Sequence, residues 1–151
     1  MQLTLYSDYS LRVLIYLGTR SPEETATITN IADAFGISRN HLVKVVHNLS
    51  QLGFITTARG KRGGMRLSRS VEMINLGDVV RHTEGNFDIV ECFNSTSNTC
   101  PISPLCKLKG VIHEAYRGFI SVLDQYTLAD ILKNKKQLQT LLSIDALARR
   151  A

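Results

Sequence analysis

Two predicted helices that meet at Gly36 constrain the fold of this chain more than any other feature. Thr27 is placed to cap the first helix and Ser38 to cap the second, and Gly36 suits the left-handed conformation that ends a helix. Both helices carry apolar residues three or four positions apart, at Ile28, Ile31, Ala32 and Phe35 and at Leu42, Val45, Val46, Leu49 and Leu52. The pattern predicts a helix-turn-helix, although helical hairpins of this kind also occur in ordinary bundles.

The face of the second helix opposite to its apolar residues is polar and carries no carboxylate. The N-terminal end of the second helix in a helix-turn-helix normally meets base edges in the major groove of DNA. Arginine and asparagine are the side chains that pair bidentately with guanine and adenine. We therefore expect DNA contacts from these two helices at Thr29, Ser38, Arg39, Asn40, His41, Lys44 and His47.

Two strand-like runs, over residues 54–58 and 65–68, flank the glycine-rich segment Arg59-Gly60-Lys61-Arg62-Gly63-Gly64. They predict a β-hairpin with a basic tip, like the wing of a winged helix. Such a tip can lie against phosphates or place arginine in a minor groove, so Arg59, Lys61 and Arg62 are expected DNA contacts. The segment matches neither the GxxxxGK[ST] nor the GxGxxG pattern, which argues against a nucleotide site.

The net charge of +5 lies entirely in the first half of the chain. Residues 1–70 carry nine Lys and Arg against four Asp and Glu, whereas residues 71–151 carry nine of each. A polyanion such as double-stranded promoter DNA is therefore expected to bind the first half. The apolar run over residues 11–18 is too short to cross a bilayer and follows no basic segment, so we expect a cytoplasmic protein without membrane contact.

A further helix is predicted near the start of the chain. Ser7 is expected to cap it, with Asp8 favourably placed at the positive end of the helix dipole. The apolar residues that follow, at position 11 and over positions 13–17, lie on nearly every face, which is typical of a helix that is buried on most sides. Another short helix, which ends near Glu84-Gly85, is expected to pack under the hairpin through Ile74, Leu76, Val79 and Val80.

All three cysteines of the chain, Cys92, Cys100 and Cys106, lie within one segment that also contains Pro101 and Pro104. Because proline lacks a backbone N–H and disfavours helix for the residue before it, we expect an ordered loop here. In a reducing compartment, an odd and clustered set of cysteines favours metal or redox chemistry over disulfides. A two-cysteine redox switch would leave one thiol unexplained, and no base accompanies a cysteine nucleophile, so we do not expect an enzyme.

Zinc and an iron–sulfur cluster are the two metal centres that remain. Structural zinc sites usually contain CxxC pairs, which this chain lacks, and the nearest histidine, His113, follows Cys106 by seven residues. Three thiolates with one atypical fourth ligand suit a cluster that has one iron more open to small molecules. Cysteine spacing favours the cluster only modestly and leaves zinc open.

A long helix is predicted beyond Pro104, with apolar residues alternately three and four positions apart. These residues are Leu105, Leu108, Ile112, Ala115, Phe119, Val122 and Tyr126. The spacing is that of a heptad seam, and we expect it to form the interface of a homodimer, because winged domains usually read two half-sites. An internal helix of a monomeric core is the alternative. Thr127 and Asp130 predict a capping box for a further helix, and no role is assigned to residues 135–151.

The chain resembles the IscR/NsrR group of iron–sulfur winged-helix regulators over essentially its whole length, and within that group the NsrR-type repressors. The matching features, besides the three cysteines, are Ser7-Asp8-Tyr9-Ser10-Leu11-Arg12, Ile37-Ser38-Arg39-Asn40-His41-Leu42, Arg59-Gly60-Lys61 with Gly63-Gly64, Asn75-Leu76-Gly77-Asp78-Val79-Val80-Arg81, Leu123-Asp124 and Tyr126-Thr127-Leu128.

The resemblance implies a homodimer that represses promoters of nitric-oxide detoxification genes while its cluster is intact. Nitric oxide is then expected to nitrosylate the cluster and to end DNA binding. By similarity the ligands are Cys92, Cys100 and Cys106 of one subunit and Asp8 of the other subunit. Arg12, one helical turn beyond Asp8, is placed to hold that carboxylate or to neutralise nearby sulfide charge.

One departure from the IscR-type pattern bears on the kind of cluster. IscR-type proteins have a histidine ligand three residues after the third cysteine, for a two-iron cluster, and that position is Lys109 here. A protonated lysine is no ligand, so the resemblance favours the nitric-oxide branch with a 4Fe-4S cluster over a 2Fe-2S one. A regulator that senses iron–sulfur supply or oxidative stress is the alternative, and an iron–sulfur electron carrier is a more distant one.

Together these features predict a mainly α-helical protein with a small β-hairpin wing. The expected parts are a winged helix-turn-helix DNA-binding domain over residues 1–83, a cluster-binding loop over 84–103, a dimerisation helix over 104–126 and C-terminal helices over 127–151.

Overall fold

The computed structural model describes residues 2–58, 60 and 63–148. The first helix of the chain is α1 (Leu5–Gly18). The helix begins after Thr4, whose Oγ1 accepts a hydrogen bond from the Ser7 backbone N–H at 3.2 Å. The prediction that Ser7 caps this helix is therefore wrong. Thr4 is an equally good capping residue and has the extended backbone of an N-cap, so the helix starts one turn earlier. Ser7 is instead fully buried, and its Oγ lies 2.8 Å from the Thr83 Oγ1.

The predicted helix-turn-helix is present as α2 (Ile28–Phe35) and α3 (Arg39–Gln51). Thr27 and Asn30 form a reciprocal capping box at the start of α2, and Gly36 ends it in the left-handed conformation with φ of 67°. Ser38 occupies the N-cap position of α3, but its side chain makes no capping hydrogen bond. Gly36 therefore sets the turn between the helices, whereas Thr27 fixes where α2 begins.

The predicted hairpin consists of the antiparallel strands β1 (Ile55–Ala58) and β2 (Gly64–Leu67). Met65 on β2 also exchanges two backbone hydrogen bonds with Ala26, at 2.9 and 2.8 Å, which ties the hairpin to the segment before α2. A Cβ at Gly64 would lie 2.8 Å from the Thr25 Cβ, so only glycine fits this approach. The three basic residues predicted at the hairpin tip, Arg59, Lys61 and Arg62, lie outside the described residues.

The remaining helices are α4 (Leu76–Thr83), α5 (Lys107–Asp124), α6 (Leu128–Ile131) and α7 (Lys135–Ala148). Residues 84–106, which we call the cysteine loop, connect α4 to α5 and contain two 3-10 turns, Glu91–Phe93 and Ser103–Leu105. The capping box predicted at Thr127 and Asp130 starts α6. No helix among the described residues combines the length and the apolar character that a membrane crossing requires.

The hydrophobic core lies between α1, α2, α3, α4 and the hairpin, and we call this assembly the reading head. Its fully buried side chains include Val13, Leu14, Ile31, Leu42, Leu49, Ile55, Ile74 and Val79. Leu128 and Leu132, which follow α5 in the chain, are buried in the same core. The C-terminal helices therefore complete the reading head and do not form a separate layer.

Helix α7 has a structural role that the sequence left unassigned. It packs against α2, and Leu138 and Leu142 contact the core of the reading head. The Lys135 Nζ donates a hydrogen bond to the Arg20 carbonyl at 3.1 Å, and the Gln139 Nε2 donates one to the Thr19 carbonyl. These two side chains bind carbonyl groups just beyond the C-terminal end of α1, where backbone acceptors lack helical partners.

Candidate functional site

The outer face of α3 is exposed to solvent and can be reached by a ligand. Its apolar side chains Leu42, Val45, Val46 and Leu49 are between 0% and 6% exposed and hold the helix against the core. The predicted DNA contacts of this region are all exposed, at Thr29, Ser38, Arg39, Asn40, His41, Lys44 and His47. The structure therefore exposes all of these side chains, and the outer face of α3 has several donors and no carboxylate.

Val43 is a further exposed residue on α3 that sequence reasoning overlooked. It is 51% exposed although it is apolar. The exposure of Val43 could be predicted from the sequence, because Val43 falls outside the apolar stripe that runs through Leu42, Val45 and Val46. An exposed methyl-bearing side chain among polar ones is suited to contact the methyl group of thymine.

Asp8 and Arg12 form an ion pair on α1. The Arg12 Nη2 lies 2.8 Å from the Asp8 Oδ2, and the Arg12 Nε donates to the Asp8 Oδ1 at 3.0 Å. Both side chains are about 40% exposed, so the pair lies at the surface of the head. The arrangement fixes the Asp8 carboxylate while leaving part of it accessible to a group from outside this chain.

The three cysteines are free thiols, and each is half-buried. Within the described residues, no group of three or more His, Cys, Asp or Glu side chains is assembled closely enough to hold a metal ion. One chain thus supplies three unpaired sulfur donors on one short loop, and Asp8 stays on α1. This donor set fits an iron–sulfur cluster in its chemistry, since thiolates are the usual cluster ligands and a fourth ligand from outside the loop is needed.

The cysteine loop is closed by its own polar side chains. The Glu91 carboxylate accepts hydrogen bonds from the Thr99 backbone N–H at 2.6 Å and from the Thr99 Oγ1 at 2.7 Å. The backbone hydrogen bond, followed by the hydroxyl bond, lowers the pKa of Glu91 below its usual range. Because Glu91 precedes Cys92 and Thr99 precedes Cys100, this closure joins the residues that lie beside the two cysteines.

Aromatic contacts attach the cysteine loop to α5. The Phe87 and Tyr116 rings are 4.9 Å apart between centroids, and the Phe93 and His113 rings are 5.8 Å apart. A cavity of about 630 Å³ lies between the loop and α5, and Cys106 and Lys109 are among its lining residues. His113 packs edge-on against Phe93, so its ring forms part of the wall of this cavity.

The predicted heptad seam of α5 is largely exposed in the single chain. Leu105 is 91% exposed, Leu108 63% and Val122 53%. In contrast, Ile120 on the same helix is buried and faces its own chain. This distribution argues against the alternative of an internal core helix, because large apolar side chains in such a row are normally covered by a partner.

Comparison with known proteins identifies the family of this chain. Residues 3–134 match the Rrf2 family, described as an iron-dependent transcriptional regulator. The chain is 51% identical over 143 residues to the HTH-type transcriptional regulator NsrR of Bacillus licheniformis, covering 95% of this chain and 100% of that protein. It is also 51% identical over 144 residues to NsrR of Bacillus subtilis, covering 95% and 99%.

A solved structure supports the fold. The structure of T. potens IscR is similar with a TM-score of 0.73 and 26% sequence identity, covering 92% of this chain and 91% of that one. The predicted winged helix-turn-helix fold is thereby confirmed, as is the resemblance to the IscR/NsrR group. The relatives are named as regulators and not as enzymes, and this chain belongs to the Rrf2 family of transcriptional regulators.

Proposed function

We propose that this protein is a homodimeric repressor that binds promoter DNA while its cysteine loop holds an iron–sulfur cluster and releases the DNA when nitric oxide reacts with that cluster. One observation carries the proposal: three free, half-buried thiols lie on a loop that directly joins the reading head to α5. The names of the NsrR relatives and the iron-dependent description of the family support it.

DNA binding is assigned to α3 and to the hairpin tip. Arg39 and Asn40 stand at the exposed N-terminal end of α3, where they are able to reach base edges. Lys44 and His47 lie further along the same face and are assigned to phosphates, together with Arg59, Lys61 and Arg62 of the hairpin tip. The charge of the first half of the chain attracts the duplex without sequence preference.

The dimer interface is assigned to the seam of α5. A two-fold arrangement would cover the seam of each copy with the seam of the other, so that residue i contacts residue j and residue j contacts residue i. It would also place two reading heads on one DNA duplex, as palindromic half-sites require. A partner subunit is needed for the cluster as well, because the proposed fourth ligand, Asp8, comes from the other subunit.

Cys92, Cys100 and Cys106 are the proposed protein ligands from the loop. A bound cluster supplies iron that reacts with nitric oxide, and iron with an oxygen ligand is more open to small molecules than iron with four sulfur ligands. Arg12 holds the Asp8 carboxylate in position through two contacts on α1. Because Lys109 occupies the place of the IscR-type histidine ligand, a 4Fe-4S cluster is proposed, and the repressor is expected to act in the cytoplasm.

The proposal is tested by an anaerobic titration of the purified protein with nitric oxide, with absorbance and DNA retardation measured on the same samples. We expect a coloured protein that loses its cluster absorbance and its DNA binding in parallel. A colourless protein with tightly bound zinc would refute the proposal. Equal sensitivity to dioxygen or to an iron chelator would favour a sensor of oxidative stress or of iron–sulfur supply instead.

A further inference from the structure

The end of α5 is fastened to the start of α4 by backbone and side-chain hydrogen bonds. The Asn75 Nδ2 donates to the Asp124 carbonyl at 2.7 Å, and the Leu76 backbone N–H donates to the Tyr126 carbonyl at 3.0 Å. The Leu128 backbone N–H donates to the Ile74 carbonyl at 2.8 Å. About fifty residues separate the two sides of this junction in the sequence.

One ion pair completes the junction. The Arg81 Nη2 on α4 bridges both carboxylate oxygens of Asp124 on α5, at 2.6 and 2.5 Å. The hydrogen bond to Asp124 is the main cause that raises the pKa of the Arg81 guanidinium. Gly77 leaves the space for this carboxylate, since a Cβ at Gly77 would lie 2.0 Å from the Asp124 Oδ1. We call Arg81, Asp124 and Gly77 the clasp.

The clasp and the cysteine loop occupy opposite ends of the same helix. Cys106 is the residue that immediately precedes α5, and Asp124 is its last residue. The 18 residues of α5 span about 27 Å as a continuous helix. A displacement of the loop would therefore reach the clasp as a movement of one rigid rod.

Helix α4 connects the clasp to the reading head. Val79 and Val80 on α4 are at most 1% exposed, so the face of α4 that carries them is buried in the core. The Arg81 side chain lies at the surface. The Thr83 hydroxyl at the end of α4 hydrogen-bonds with Ser7 of α1 in a buried position. Helix α1 in turn packs on α3, the predicted DNA-reading helix.

We propose that the clasp of Arg81, Asp124 and Gly77 transmits the state of the cysteine loop to the reading head, with Arg81 and Asp124 acting as positioning residues. The proposal rests on the proposed function, because it needs a loop whose state changes. Without the clasp, α5 would pivot at its C-terminal end, and the loop would change state without moving α4.

The test compares DNA affinity before and after nitric oxide treatment, for the wild type and for Arg81→Gln and Asp124→Asn. Coupling between two sites typically changes affinity by about 5- to 150-fold. We expect both variants to keep their cluster absorbance while this ratio falls to about twofold or less. Asp78→Asn is the matched control, because Asp78 is the other carboxylate that contacts Arg81, at 3.0 Å, and its side chain makes no hydrogen bond or ion pair with α5 among the described residues.

A second pair of variants tests the clasp without changing Arg81. Gly77→Ala adds a Cβ that clashes with the Asp124 carboxylate, whereas the substitution favours the helix itself. We expect Gly77→Ala to lower the affinity ratio as Arg81→Gln does, and to destabilise the cluster-free protein in thermal unfolding. In an Asp124→Ala background the same substitution is expected to cause no further loss of stability, because the clashing carboxylate is absent.

Each outcome bears on the clasp separately from the proposed function. An affinity ratio in the clasp variants equal to that of a responsive wild type would overturn the clasp alone. A loss of the cluster in the clasp variants would also overturn the clasp. An equal loss of DNA affinity before and after nitric oxide treatment would do the same, since the clasp would then only support folding. A wild type with the same DNA affinity in both states would overturn the proposed function and this proposal with it.

Discussion

The reading head and the cysteine loop are held together in different ways. The head is joined by contacts between residues far apart in sequence, such as the Ala26–Met65 bridge and the Ser7–Thr83 contact. At the start of the cysteine loop, the Glu84 carboxylate accepts hydrogen bonds from the Thr4 backbone N–H and Oγ1, at 2.9 and 3.0 Å. From residue 86 to residue 106, the described loop makes hydrogen bonds only to partners within eight positions. None of these loop residues belongs to the core cluster of described side chains.

This difference shows which of the two regions is held in one conformation by its own contacts. A region with a packed core and long-range hydrogen bonds opens only with much of the global free energy of unfolding, whereas a region of local bonds opens at little cost. The head therefore keeps its packed core when the loop rearranges, so a change in the loop can reach the head only as a shift of intact helices. Under the proposed function, the loop would take its final arrangement from the bound cluster and from the second subunit.

The largest expected effect is the loss of a core side chain from the head. Leu49 is fully buried, so Leu49→Ala should lower the free energy of unfolding by about 2–5 kcal/mol. The matched loop variant is Ile102→Ala, because Ile102 is 63% exposed, and it should change the same quantity by less than about 0.5 kcal/mol. Urea unfolding of the cluster-free protein measures both. Similar losses in the two variants would show that loop and head do not differ in packing.

Removal of α7 should have the next largest effect. A chain ending at Asn134 loses the contacts of Leu138 and Leu142 with the core and the two hydrogen bonds to the end of α1. We expect a loss of roughly 2–4 kcal/mol in the free energy of unfolding, since each apolar side chain is only partly buried. A truncated chain with unchanged unfolding would mean that α7 does not stabilise the head.

A smaller effect is expected from single residues on the face of α3. Arg39→Ala should cost about 1–3 kcal/mol of binding free energy on a cognate DNA site and relax base preference at particular positions. Lys44→Ala should weaken binding to all sequences and reduce its salt dependence. The control is Lys107→Ala, an exposed lysine beside the loop, which should bind DNA as the wild type does. DNA retardation assays at several salt concentrations distinguish the three variants. An equal loss of affinity for every DNA sequence after Arg39→Ala would contradict the assignment of Arg39 to base recognition.

The smallest expected change in stability comes from the loop cysteines. Cys100→Ala should alter the unfolding of the cluster-free protein by less than about 0.5 kcal/mol, because Cys100 is half-buried and outside the core. The same variant should lose the cluster absorbance and the nitric-oxide response of DNA binding altogether. A large loss of stability would show that the thiol is a packing residue and would weaken its assignment as a ligand.

Local sequence signals predicted most of the head. The capping box at Thr27 and the left-handed Gly36 act over a few residues, so their positions could be read directly from the sequence. Ser7 was misassigned because Thr4 offers the same capping chemistry three residues earlier. The packing of α7 on α2 and the pairing of Arg81 with Asp124 join residues that are distant in sequence, and no local pattern indicates such partners.

The candidate site likewise has a part that local sequence signals predict and a part that they do not. The polar face of α3 follows from helical periodicity, since the buried stripe determines which residues remain outside. Val43 was missed because an apolar residue type is normally assigned to the core. Among the described residues the three cysteines and Asp8 are not assembled into one site. Their proposed approach would depend on a bound group and on another chain, and neither is encoded in the local spacing of residues.

The closure of the cysteine loop by Glu91 and Thr99 has a consequence for how this loop tolerates change. Because the closure lies beside Cys92 and Cys100, the intervening chain can lengthen without separating them. The entropy cost of a longer flexible loop grows only slowly, by about 0.6 kcal/mol for each doubling of its length. Ser95 is exposed on the segment that this closure spans, so added residues there would extend the loop toward solvent.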